Sequence, residues 1–229
     1  MSGGRSGSPS VRAARPTANE PDHRDQMTRA PLDHYAAIYR NLSPDAISLR
    51  CGLSFSRERA AFVFRIMGEE RAAAFPEFRV SDGAGESSID PYEEILILRY
   101  LCEGLRAPET GDAVAYRELP WGAVYDTNFR GRVIDRFARA FGRDTNAFRA
   151  AMARVPGARP CTDGHCDVGY GFEFMDGLPM RILLWEGDAE FSPSAQFLFD
   201  RNFAAAFSAE DVAVVGEIVI KRLNRLSRG

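Results

Sequence analysis

Lysine is all but missing from this 229-residue chain: Lys221 stands alone, and arginine supplies nearly all positive charge. Basic residues number 29 against 32 Asp and Glu, a net charge of -3, and a mildly acidic balance argues against a dedicated nucleic-acid binder, whose footprint is strongly basic. No run approaches the roughly 20 apolar residues of a membrane span, and no early apolar stretch follows a basic start as in a secretory leader. The cytoplasm is therefore the expected compartment, and no membrane partner is expected. Cysteine is sparse, at four residues, and a chain of this length buries enough apolar surface to need no disulfide staples. Gly-x-Ser-x-Gly, Walker-type and dinucleotide fingerprints are absent. His23 falls in a polar tail and His34 on the first helical pattern, neither beside a nucleophile, and no repeat recurs along the chain.

What is present is 45% hydrophobic residues, distributed as in one globular domain. From Met1 to about Ala30 the chain is Gly, Ser, Pro and Arg, a composition that cannot offset the entropy of ordering. Residues 1–30 are thus expected to be a disordered tail and residues 31–229 a single α+β domain, a small mixed or antiparallel sheet packed by several helices. Leu32, Tyr35, Ile38 and Tyr39 recur at helical spacing, and Ser43-Pro44-Asp45 opens a second helix that Gly52 ends. Phe62, Phe64 and Ile66 alternate as a strand, Gly68-Glu69-Glu70 interrupts, and Phe75 to Val80 reads as its partner. Asp90-Pro91 starts a helix apolar on nearly every side, hence buried and central. Gly111 to Tyr125 reads as a strand and a loop, followed by helices over about Asn128–Phe141 and Thr145–Arg154. Asp167 to Trp185 reads as a hairpin turning at Asp176-Gly177, with a helix expected after Pro193. Ser208 to Asp211 caps a long last helix with Lys221, Arg222, Arg225 and Arg228 toward its C-terminal end.

Four constellations carry chemistry. Where the Met180–Trp185 strand meets the Arg117-Glu118-Leu119-Pro120-Trp121 loop, a small-molecule pocket is expected, with Trp185, Trp121 and Tyr125 as walls and Arg117, Glu118, Glu186 and Asp188 as orienting groups. Glu186, Asp188 and Glu190 would share one face of an extended backbone, about 6.5 Å apart. With Asp200 they could hold magnesium, calcium or manganese for a hydrolase or transferase. The bland alternative makes Asp188 a cap on the chain at Ser192-Pro193. Cys161, His165 and Cys166 on one loop could bind metal, form a disulfide or be an incidental pair. Arg132, Arg136, Arg139 and Arg143 fall on one helical face, either solvated or docking an acidic protein partner. Composition leaves the cofactor and the oligomeric state open.

Ile95-Leu96-Ile97-Leu98-Arg99-Tyr100-Leu101, Thr110-Gly111-Asp112, Tyr116-Arg117-Glu118-Leu119-Pro120, Leu184-Trp185-Glu186-Gly187-Asp188-Ala189-Glu190-Phe191 and Phe197-Leu198-Phe199-Asp200 together resemble the domain-of-unknown-function 3786 family, over roughly residues 32 to 226. Members are common in anaerobic bacteria and archaea, and some are joined to an iron-sulfur module of the sort found beside corrinoid proteins. The resemblance implies the fold, the acidic segment and a link to anaerobic redox or corrinoid metabolism for the ligand- or cofactor-binding domain that the pocket residues suggest. It implies no reaction, and the module's closely spaced cysteines have no counterpart in this chain.

Overall fold

The computed structural model describes residues 23–86, 89–162 and 165–228. The expected tail over residues 1–22, and Asp163 and Gly164 of the cysteine loop, lie outside the described residues. α1 (His23–Tyr39) has its first turns in the stretch that composition assigns to the tail. α2 (Pro44–Cys51) begins with proline at its first position and ends at Gly52, whose φ of 63° is the left-handed cap expected of glycine.

The architecture is α+β, with one nine-stranded antiparallel sheet in the order β4 (Val80–Asp82), β3 (Glu69–Ala74), β2 (Ala61–Ile66), β7 (Val168–Met175), β8 (Leu178–Trp185), β9 (Ser194–Asp200), β5 (Ala113–Ala115). β1 (Ser54–Ser56) adds to β2 (Ala61–Ile66) and β6 (Arg159–Pro160) to β7 (Val168–Met175). β2 turns through Met67 and Gly68, both at positive φ, directly into β3 (Glu69–Ala74). The expected partner strand over Phe75–Val80 is therefore displaced: Glu69 and Glu70 belong to the strand, and Phe75 to Arg79 form the turn into β4 (Val80–Asp82). Their polarity hid them, because Glu69 and Glu70 sit at the strand's half-exposed end while Arg71 and Ala73 are buried.

α3 (Pro91–Glu103) is the central helix, with Leu96, Ile97, Leu98, Tyr100 and Leu101 buried and the Asp90 side chain accepting from the Tyr92 N–H. It packs against both α1 and α8 (Ala209–Arg228). β7 and β8 (Leu178–Trp185) form the expected hairpin at Asp176-Gly177. β9 (Ser194–Asp200) overturns the expected helix after Pro193: Ser194–Phe199 pairs along β8, and Phe197 and Phe199 go into the core at strand spacing. Pairing outweighs the helix-start chemistry of Ser192-Pro193 because two buried rings at i and i+2 fit one face of a strand.

The helix expected from Asn128 starts earlier. α4 (Gly122–Phe129) runs through a π-helical turn, Arg130–Ile134, into α5 (Asp135–Phe141) without a break. α6 (Thr145–Met152) and α7 (Phe203–Ala206) complete the helices. α8 begins in a reciprocal cap: Ser208 Oγ accepts from the Asp211 N–H at 3.2 Å while Asp211 Oδ2 accepts from the Ser208 N–H at 3.2 Å and the Ser208 hydroxyl at 2.6 Å. Among the described residues, no helix is long and apolar enough to cross a membrane.

Candidate functional site

β5 (Ala113–Ala115) pairs with Leu198–Asp200, and among the described residues no strand covers the Ser194–Phe197 half of that β9 edge. From β5 the chain enters a 3-10 turn, Tyr116–Glu118. It then turns sharply at Leu119-Pro120-Trp121-Gly122, where the Gly122 N–H donates to the Leu119 carbonyl at 2.9 Å. Trp121 sits at φ 64°, ψ -5°, the third position of a type II turn, which glycine ordinarily takes. Gly122 is held to glycine by close approach, since a Cβ there would lie 1.9 Å from the Tyr116 carbonyl oxygen.

The open β9 edge, the 3-10 turn and the π turn enclose a cleft of about 250 Å³. Its polar wall is Arg117, Asp126, Arg130 and Gln196, and Trp185 closes one side. Tyr116 and Phe129 form a rigid floor, stacked at 3.9 Å and 3°. Burial pushes the Tyr116 phenol up to about 12, so it stays protonated and donates to the Ala209 carbonyl at 2.9 Å. Two guanidinium groups, one carboxylate and an indole line the cleft, and the π turn contributes Arg130 and Ile134 to its wall. Such turns within helices are frequent at functional sites. The lining can hold an acidic group by its forks and a flat group against the indole.

Of the residues expected to line this pocket, Arg117 and Trp185 do meet there. Glu118 does not: its carboxylate accepts the Ala115 N–H at 2.8 Å and closes the 3-10 turn. Trp121 and Tyr125 are exposed, at 76% and 49%, and lie outside the lining because the type II turn and the start of α4 put them on the outer side. Asp126, Arg130 and Gln196 take their places; the signal missed was the helix beginning at Gly122 rather than Asn128, which brings Asp126 onto a helical face.

The acidic segment does not stay extended, and its carboxylates do not converge. The Glu186 N–H donates to Asp167 Oδ2 at 2.8 Å and the Gly187 N–H to the Gly142 carbonyl at 3.0 Å. Asp188 Oδ1 accepts the Glu190 and Phe191 N–H groups at 2.8 and 2.7 Å, and these bonds hold its carboxyl below the usual aspartate range. Asp188 thus caps the turn between β8 and β9, not a helix at Ser192. Asp200, at the other end of β9, accepts from the Thr110 N–H and hydroxyl, the Gly111 N–H and the Asn202 N–H, with distances from 2.7 to 3.1 Å. Among the described residues, no group of three or more His, Cys, Asp or Glu is placed to hold a metal ion.

The family model described as a domain of unknown function, DUF3786, matches residues 43–222. The chain belongs to this family. No curated protein and no solved structure matches it. In this DUF3786 chain the Trp-Glu-Gly-Asp run has a structural use: a Cβ on Gly187 would lie 2.4 Å from Pro193 Cδ, and one on Gly142 2.2 Å from Pro193 Cβ, so Pro193 is clasped between two glycines. The cysteine loop sets both of its thiols beside Gly169, since a Cβ there would meet Cys166 Sγ at 2.9 Å and Cys161 Sγ at 3.0 Å. His165, exposed and at φ 53°, does not join them in a three-residue cluster. The arginine stripe is broken by the π turn: Arg132 pairs with Glu217 of α8 through bonds of 2.9 and 3.0 Å, while Arg136, Arg139 and Arg143 are exposed. Cys51 and Cys102 lie in α2 and α3, and burial raises both thiols, Cys102 to about 11, which leaves them poor nucleophiles.

Proposed function

We propose that this chain is a ligand-binding domain that seats a small, flat, acidic molecule in the cleft between the open β9 edge and the π turn. The observation that carries this reading is the meeting of Arg117 and Trp185, far apart in sequence, at one concavity whose other wall is Arg130 of the π turn. Arg117 and Arg130 hold the acid group, Trp185 faces the flat group, and Asp126 and Gln196 select among polar substituents. A volume of about 250 Å³ lies just under the usual range for small-molecule sites, which favours a ligand of one or two rings. A link to anaerobic redox or corrinoid metabolism would enter through the identity of that ligand.

Native mass spectrometry of the full chain purified without air tests the proposal. The expected result is a copurified mass that is lost from an Arg117→Ala/Arg130→Ala variant; both side chains are exposed, so the variant should melt as the parent does. A bare chain mass, together with unchanged Trp185 fluorescence across a panel of aromatic acids, would sink it.

A further inference from the structure

Toward the opposite end of the strand order from the cleft, β3, α3 and α8 bring together charges that are rare in a protein interior. Arg71, Glu93 and Arg222 are each only 5 to 6% exposed. Arg71 pairs with Glu93 at 2.6 Å. Glu69 then serves three guanidinium groups, Arg71 and Arg225 at 3.4 Å each and Arg222 in closer contact. Three arginines therefore share two carboxylates, and the neighbouring Lys221 is paired with Asp90. Arg222 Nη1 donates to the Ile66 carbonyl at 3.0 Å, but its Nε, shut off from solvent, has no acceptor.

This cluster faces a cavity of about 390 Å³ lined by Arg71, Lys221, Arg222 and Arg225 with Asp90 and Glu93. Ile89, Pro91 and Ile218 complete the lining as an apolar strip. We propose that this cavity binds an oxyanion, a phosphate or carboxylate group carried on a short apolar body. Four cations, the buried Arg71 and Arg222 and the exposed Lys221 and Arg225, meet three carboxylates, Glu69, Asp90 and Glu93, so a further anion would balance the charge, and the guanidinium forks match carboxylate and phosphate oxygens. Burial and the nearby Arg225 also draw the Arg222 guanidinium down to about 10. The volume is that of a small-molecule site, and the cavity shares no residue with the Trp185 cleft.

Titration calorimetry of the full chain with inorganic phosphate, hexanoate and hexyl phosphate, each against sodium chloride of matched ionic strength, separates the two head groups. The expected result is saturable binding of at least one of them, weakened about tenfold or more in Lys221→Ala/Arg225→Ala. Both of those side chains are 67% exposed, so the fold should survive, and an Arg225→Gln variant gives the same reading if the double variant does not fold. Absence of binding by all three probes at concentrations up to about 10 mM would overturn the proposal. Equal affinity in the parent and in the folded variants would do so too. Loss of binding in Arg117→Ala would move the heat to the cleft and also overturn it, whereas an intact signal in that variant supports the separate cavity even if the cleft proves empty.

Discussion

Trp121 holds a left-handed backbone with three-quarters of its surface in solvent. The conformation costs an L-residue about 1–2 kcal/mol, and so exposed an indole gains little packing in return. Trp121→Gly should therefore stabilise the protein, by roughly 0.5–1 kcal/mol after the extra freedom of glycine in the unfolded chain is subtracted. Urea melts of the two proteins check this; a less stable variant would show that the indole packs on something when the chain folds. Asp188 lies in the other sharp turn, and its direction follows from linkage. Its folded pKa is depressed by the Phe191 and Glu190 N–H groups, so its contribution is present above the ordinary aspartate value and lost as pH falls through the folded one. Asp188→Ala should be less stable than the parent at neutral pH, with the gap closing in acid. A variant more stable at pH 7 would instead mean that the carboxylate is repelled and kept for a ligand.

Among elements, the Arg71–Glu93 pair ties β3 to the first turn of α3. Glu93→Ala leaves Arg71 buried with a poorer set of acceptors, a loss of about 3–5 kcal/mol. Arg71→Met/Glu93→Leu removes both charges and should recover most of that loss, because the pair's mutual attraction only offsets its desolvation. Thermal melts of the single and double variants distinguish this from a simple packing defect, which would leave the double variant at least as unstable. The same elements show why parts of the fold were readable. Asp90-Pro91 before α3, Ser208 with Asp211 at α8, and Asp176-Gly177 in the hairpin act through atoms within four residues, so spacing alone announces them. Glu69 and Glu70 gave the opposite impression, because what makes them a strand is pairing with Ile66 and Arg65 across the β2–β3 turn, continued by Arg71 to Ala73, which also pair with β4.

For the molecule as a whole, one sheet and one continuous set of buried residues from Tyr39 to Leu223 predict a single cooperative unfolding transition. Far-UV dichroism and tryptophan fluorescence should give coincident urea curves; Trp185 unfolding ahead of the backbone signal would mark the cleft side as a separate unit. The sequence by itself determined the α+β class, the buried central helix, the β7–β8 hairpin, the capped last helix and the family, since each rests on periodicity, caps or a contiguous motif. It also brought Arg117 and Trp185 together, because both stand where a regular pattern gives way to irregular backbone. Only the tertiary structure decided that Ser194–Asp200 is a strand, that a π turn walls the cleft and that the acidic run is a turn clasping Pro193. It alone showed that Arg222 donates to the Ile66 carbonyl, 156 residues away. Such choices depend on which surfaces meet across the sheet, and the free energy of those meetings is written in no local spacing of residues.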